Sequence, residues 1–164
     1  MELARRFASR GMPPRRRLVF VAFCGEESGQ LGSRHFVKHP IGDTVAMLNF
    51  DMVGRLRDNR LGIAGNESAR EFTAPLAAAA ARSPLRVMMG GPEYPDDSDH
   101  GPFAADKVPI LYLCTGGHED RHTPGDTADK VNFEGMVRVV DFSEDLLDRL
   151  QASPRPTFVP QRRR

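Results

Sequence analysis

The chain has 164 residues, 40% of them apolar and 27% charged, which suits one globular domain large enough to bury a core. A formal net charge of +1 excludes a nucleic-acid binder built on a broad basic face. No apolar run approaches the roughly 20 residues of a membrane-spanning helix, and the N-terminal stretch lacks the apolar segment and cleavage site of a signal peptide.

Helix-like and strand-like segments alternate along the chain. Glu2–Ser9 reads as a helix, broken by Gly11-Met-Pro-Pro14. The triplet Arg15-Arg16-Arg17 reads as a solvated entry to Leu18–Cys24, whose nearly unbroken apolar run predicts a buried strand. Ser33–Lys38 is a short helix ended by His39-Pro40. Val45–Phe50 is a second strand, ending at Asp51, and Arg60–Ala64 a third. Ser68 is placed to cap a helix over Ala69–Arg82, stopped by Ser83-Pro84. Leu85–Met89 is a short strand and Pro92–Asp99 a loop. Val108–Thr115 is a strand emptying into Gly116-Gly117. A long helix runs from Phe133 to about Gln151, with Phe133, Met136, Val137, Val140, Leu147 and Leu150 on its apolar face. Residues 1–152 therefore form the domain, and 153–164 a disordered, basic, Pro-rich tail. Cys24 and Cys114, at the ends of apolar runs, are expected to be buried free thiols, with a disulfide between them as the alternative. The alternation implies an α/β fold with a mixed, largely parallel sheet covered by helices.

In such sheets, sites form beyond the carboxyl ends of strands. Three clusters fall there. Glu26 and Glu27 leave the first strand between Gly25 and Gly29. Consecutive residues point in different directions, so one carboxylate can hold a metal while its neighbour takes a proton from water. Taken alone, the pair also suits an acidic first helical turn. Asp51 ends the second strand, a position that suits a turn former as well as a hard oxygen ligand. His118-Glu-Asp-Arg-His122-Thr-Pro-Gly-Asp126 forms the third cluster, and its flanking glycines argue for a loop in which Thr123 caps a turn at Pro124. Ser98-Asp99-His100 is not a triad, since three contiguous residues cannot form one. His100 is expected behind the site, facing substrate or starting a helix. His35 and His39 are expected to be structural or exposed.

Four motifs then carry a resemblance. Val-Phe-Val-Ala-Phe-x-Gly-Glu26-Glu27-Ser-Gly-x-Leu-Gly-Ser33, Asn49-Phe-Asp51-Met-Val-Gly54, Ser98-Asp-His100-x-Pro-Phe103 and His118-Glu-Asp-x-His122-x-Pro-x-Asp126 resemble, in order and spacing, the co-catalytic di-zinc aminopeptidases of the bacterial leucine-aminopeptidase type, related to glutaminyl cyclases and transferrin-receptor-like proteins. The resemblance runs from Met1 to about Leu150. It implies a three-layer zinc-exopeptidase-like sandwich, removal of N-terminal residues from peptides, and peptide rather than nucleic acid or membrane as partner. It assigns Glu26 as general base, Glu27 and His122 as ligands of one zinc, and Asp51 as ligand of the other. Asp99, His100, His118 and Arg121 are left as supporting or substrate-facing residues.

The departures are equally specific. The family's His-x-Asp motif and zinc-bridging aspartate have no counterpart before Glu26, and the first aspartate is Asp43. The resemblance thus implies a catalytic domain lacking its N-terminal strands and two ligand positions, with zero or one zinc where complete relatives hold two. Arg121 stands where an aromatic residue commonly precedes the ligand histidine. The alternatives to an impaired peptidase are a non-catalytic peptide- or partner-binding remnant and a single-zinc cyclase-like transferase.

Overall fold

In the computed structural model, residues 1–90, 93–94, 97–160 and 162–163 are described. The elements in chain order are α1 (Glu2–Ala8), α2 (Leu31–Lys38), β1 (Met47–Asp51), β2 (Arg60–Ala64), α3 (Thr73–Arg82), β3 (Arg86–Met89), β4 (Glu93–Tyr94), α4 (His100–Ala105), β5 (Ile110–Cys114), α5 (Phe133–Ala152) and β6 (Arg162–Arg163). A four-stranded sheet has the order β1-β5-β2-β3. The β1–β5 and β2–β3 pairs are parallel and β2–β5 is antiparallel, so the sheet is mixed as expected. The short strands β4 and β6 pair separately. No helix among the described residues is long and apolar enough to cross a membrane.

Period-two alternation explains the layers. Leu61 and Ile63 of β2 and Leu111 and Leu113 of β5 point to one face, where Phe72, Leu76 and Ala79 of the α3 region and Val139, Phe142 and Leu146 of α5 close the main core. Their neighbours point the other way. Ile110 packs with Phe103 and Ala104 of α4, joined by the partly buried Phe23, Phe36, Met47 and Val108. Helices on both faces make the expected three layers. α1 lies on α5 through charge, with Arg6 bridging Asp141 and Glu144 and Arg10 bridging Glu144 and Asp148.

Several expectations are corrected. Leu18–Cys24 is not a strand. It has no regular structure and no hydrogen bond among the described residues from Leu18–Phe23, and Val19, Phe20 and Val21 are 44%, 40% and 46% exposed. The sequence has strand character, but no described strand pairs with it, and β1 remains an edge. Cys24 is consequently exposed rather than buried, while Cys114 is half-buried, and both are free. Ser68 does not cap a helix: its hydroxyl exchanges hydrogen bonds with the main chain of Ile110, and a 3-10 turn at Arg70–Phe72 precedes α3. The buried stripe of α5 is Gly135, Val139, Phe142, Ser143 and Leu146, whereas Phe133 and Val137 are exposed. The shift follows from Gly135, whose missing side chain lets α5 approach Asn132 and Leu56 more closely than a Cβ would permit. Arg16 is not a solvated strand entry. Its guanidinium donates to the carbonyls of Leu150 and Ser153, neutralising the negative end of α5. Part of the expected 92–99 loop lies outside the described residues. Residues 153–160, read above as part of a disordered tail, contact the body: Arg155 pairs with Asp43 and the Val159 N–H donates to the Ser68 carbonyl.

Candidate metal centre

The Glu26–Glu27 turn is shaped by backbone geometry. Gly25 and Gly29 have φ of 64° and 98°, a region where glycine meets no Cβ penalty. The Gly29 and Gln30 N–H groups both return to the Glu26 carbonyl, closing a turn that leads directly into α2. Gly32 lets that helix reach the Cys24 backbone, since a Cβ there would stand 2.8 Å from the Cys24 nitrogen. The two carboxylates are thereby fixed relative to α2 although the segment before them is unpaired.

Across the cleft, the His122 loop brings the Nε2 of His122 to 2.8 Å from Oε1 of Glu27. These residues are 95 positions apart in sequence, and the contact unites the first and last of the candidate clusters. His122 is held at φ 59°, a left-handed conformation that costs a non-glycine residue about 1–3 kcal/mol. An exposed ion pair contributes about 1 kcal/mol at most, and both side chains are more than half exposed. The pair therefore does not by itself hold the loop in its strained form.

Asp51 ends β1 beside Cys114 of β5. Its Oδ2 accepts from the hydroxyls of Ser98 at 3.1 Å and Tyr112 at 3.2 Å. The amide nitrogen of Asn49 donates to Ser98 Oγ at 2.9 Å and stands 3.3 Å from Nδ1 of His100. His100 is fully buried, starts α4 and lies against the Tyr112 ring with centroids 4.5 Å apart. His100 thus sits behind Asp51, in a polar network whose other members, Asn49, Ser98 and Tyr112, sequence reasoning did not single out as site residues. Their signal was available in the alternation: Asn49, Asp51 and Tyr112 share one face of neighbouring strands. Asp99 caps no helix N–H through its side chain, and its Oδ1 is buried without a hydrogen-bond partner.

The carboxylates act on one another electrostatically. Glu26 is pushed above the usual glutamate range, first by burial and then by the negative charges of Glu27, Asp51, Asp99 and Asp97. Glu26 thus lies within reach of several negative charges, a setting that raises its proton affinity and attracts cations.

His118 lies elsewhere. Its Nδ1 faces Arg55 at 3.3 Å and its Nε2 faces Asp126 at 3.7 Å. Arg121 is exposed, with its backbone N–H donating to the His118 carbonyl. His35 and His39 are exposed and stacked on each other. The loop character of 116–126 and the Thr123 turn are as expected, with the Gly125 N–H donating to Thr123 Oγ1.

Glu27 and His122 offer the carboxylate and imidazole chemistry of zinc ligands, and a slight opening of their contact would admit an ion between them. A catalytic zinc takes three protein ligands. No group of three His, Cys, Asp or Glu able to hold a metal occurs among the described residues. They do not complete a zinc site by themselves.

Comparison with solved structures supports the fold. The LapA aminopeptidase of Legionella pneumophila superposes with a TM-score of 0.75 at 24% identity, covering 92% of this chain and 43% of that one. BSAP, a zinc aminopeptidase from Bacillus subtilis, gives 0.71 at 22% identity over 98% of this chain and 43% of its own. An aminopeptidase from Aneurinibacillus sp. strain AM-1 gives 0.59 at 26% identity, over 85% and 34% respectively. A protein of Pyrenophora teres f. teres (strain 0-1) named "Probable zinc metalloprotease" is 35% identical over 96 residues, which is 56% of this chain and 20% of that protein. The chain thus spans less than half the length of these relatives. The sequence model described as peptidase family M28 matches residues 1–146, and the chain belongs to that family.

Proposed function

We propose that this chain carries the general-base side of a metallo-aminopeptidase centre, acting on the free N-terminus of peptides. The observation that supports it most is the convergence of Glu27 and His122 at 2.8 Å next to Glu26, which burial and neighbouring carboxylates raise above the usual glutamate range. The negative charges of Glu27, Asp51 and Asp99 that act on Glu26 suit a peptide's N-terminal ammonium. Glu26, with its raised proton affinity, is the group to take a proton from the attacking water and return it to the leaving amine. The names of the relatives make zinc the expected metal. In this chain Glu27 and His122 would share one ion, and Asp51 alone is too few donors to hold a second. The remaining donors are not among the described residues.

The two-donor count favours a second reading, a chain that binds peptide without turning it over. The aminopeptidase reading requires recognition of a free amine, which is open to test. A short leucyl peptide with a free N-terminus is expected to bind measurably at pH 7, with Asp99→Asn weakening it severalfold through the loss of one of the negative charges around Glu26. Its N-acetylated counterpart is expected not to bind. Equal binding of the two peptides, or of neither, would contradict the aminopeptidase reading. Hydrolysis of a leucyl anilide by this chain is expected to be undetectable. Turnover that Glu26→Gln abolishes would show instead that the donor set is complete.

A further inference from the structure

Arg55 lies in the β1–β2 loop, outside every candidate cluster, yet it touches the His122 loop at four points. Its side chain is only 15% exposed. One terminal nitrogen, Nη2, donates to the Asp120 carboxylate and to Nδ1 of His118 at 3.3 Å, and stands 3.6 Å from Oδ1 of Asp126. The other, Nη1, donates to the Lys130 carbonyl at 2.9 Å. These contacts bracket His122 at positions two and four before it, and four and eight after it.

Asp120 extends the hold. Its Oδ1 accepts from Lys130 Nζ at 2.6 Å, and its backbone carbonyl accepts from both the N–H and the hydroxyl of Thr123. His122 sits inside that closed turn with its left-handed φ of 59°. Because Arg55 donates to His118 Nδ1, the ring proton of His118 belongs on Nε2, facing Asp126. One guanidinium therefore orders a histidine, two carboxylates and a carbonyl around a strained residue whose own contact with Glu27 is exposed.

We infer that Arg55 is a positioning residue for His122: its fork, docked on Asp120, His118 and the Lys130 carbonyl, holds the loop in the form that presents the His122 ring to Glu27. A lysine in its place keeps the charge but not the planar set of donors. The inference deepens the proposed function, in which His122 and Glu27 share an ion, but it concerns the metal-free chain and does not depend on turnover.

The test is histidine-selective NMR on the whole metal-free chain, with the five histidine rings assigned by substitution. In the unmutated protein the His122 ring is expected to show a cross-relaxation contact with the Glu27 side chain. Arg55→Ala and Arg55→Lys should each abolish that contact and move the His122 ring signals, leaving those of His35, His39 and the buried His100 in place. Asp120→Asn, which keeps Arg55 and weakens its main ionic contact, should reduce the contact at least twofold and serves if the Arg55 variants do not fold. A His122–Glu27 contact unchanged in Arg55→Ala, or in Asp120→Asn if that variant alone folds, overturns the inference. Retention of the contact in Arg55→Lys overturns the role of the fork. Loss of the contact in these variants, in a chain that binds neither zinc nor free-amine peptide, would leave the positioning role standing while the proposed function falls.

Discussion

The two faces of the sheet are built to different standards. On the α3–α5 face, Leu61, Leu111, Leu113, Phe72 and Leu146 are fully enclosed, and α1 is fastened over α5 by arginine–carboxylate pairs. On the α2–α4 face, the buried apolar set among the described residues is Phe103, Ala104 and Ile110, with partly buried side chains filling in. Leu18–Phe23 ends at that smaller core, apolar, without regular structure and without hydrogen bonds among the described residues. The candidate centre draws its donors from the second side: Glu26 and Glu27 leave that segment, and Asp51 ends the edge strand. Stability and chemistry are thus separated, with the closed face holding the fold while the open side carries the carboxylates and the shortage of metal donors.

The largest expected effect lies on the closed face. Leu113→Ala should cost about 2–5 kcal/mol in urea unfolding, since the site is fully enclosed and cannot collapse easily. Val21→Thr on the open side should fall within about 0.5 kcal/mol. A large cost for Val21→Thr would mean that the 18–23 segment is packed in solution, and the contrast would break. Amide exchange should follow the same division, with Ile110–Cys114 protected to near the global limit and 18–23 exchanging early.

A smaller, pH-dependent effect is expected at the α1–α5 bridge. Burial would raise the Glu144 carboxyl, but hydrogen bonds from Arg10 and Arg6 outweigh it and hold the group below the usual glutamate range. A carboxylate depressed in the folded state contributes stability above its unfolded value, near 4.5, and loses it as pH falls through the folded one. Glu144→Gln should therefore lower the melting temperature at pH 7 by a few degrees, on the order of 1 kcal/mol for a partly exposed bridge. The difference should close as the solution is acidified below the ordinary glutamate range. A gap that persists in strong acid would show that Glu144 acts through packing instead.

The smallest effect concerns Arg121, a cation next to His122. Arg121→Tyr should enlarge the rise in melting temperature that added zinc gives, by removing local positive charge. An identical zinc response in both proteins would show that Arg121 is too exposed to matter to the ion.

Much of this arrangement is legible in the residues. The strand over Arg60–Ala64 and the helices Glu2–Ala8 and Phe133–Ala152 follow from local pattern, and the pairing of Glu27 with His122 is what the family resemblance implies. Pattern failed where a tertiary partner decides. Leu18–Cys24 has a strand's composition, but pairing is a property of two segments, and composition reports on one. Ser68 resembles a helix cap, yet the main chain of Ile110 competes for its hydroxyl. The stripe of α5 was misplaced because Gly135, lacking a side chain, carries no apolar signal yet marks the closest approach. Arg55 was invisible because a single arginine in a loop has no period and no motif, and its meaning lies in four groups spread over residues 118–130.

The central claim is that Glu27 and His122 together hold an ion, and zinc stoichiometry tests it most directly. The chain, dialysed against zinc and measured by elemental analysis, is expected to retain one weakly bound equivalent and to lose it in both Glu27→Gln and His122→Ala, and no zinc in the unmutated chain would contradict the claim. Two equivalents in the unmutated chain, or one that survives both substitutions, would contradict the account.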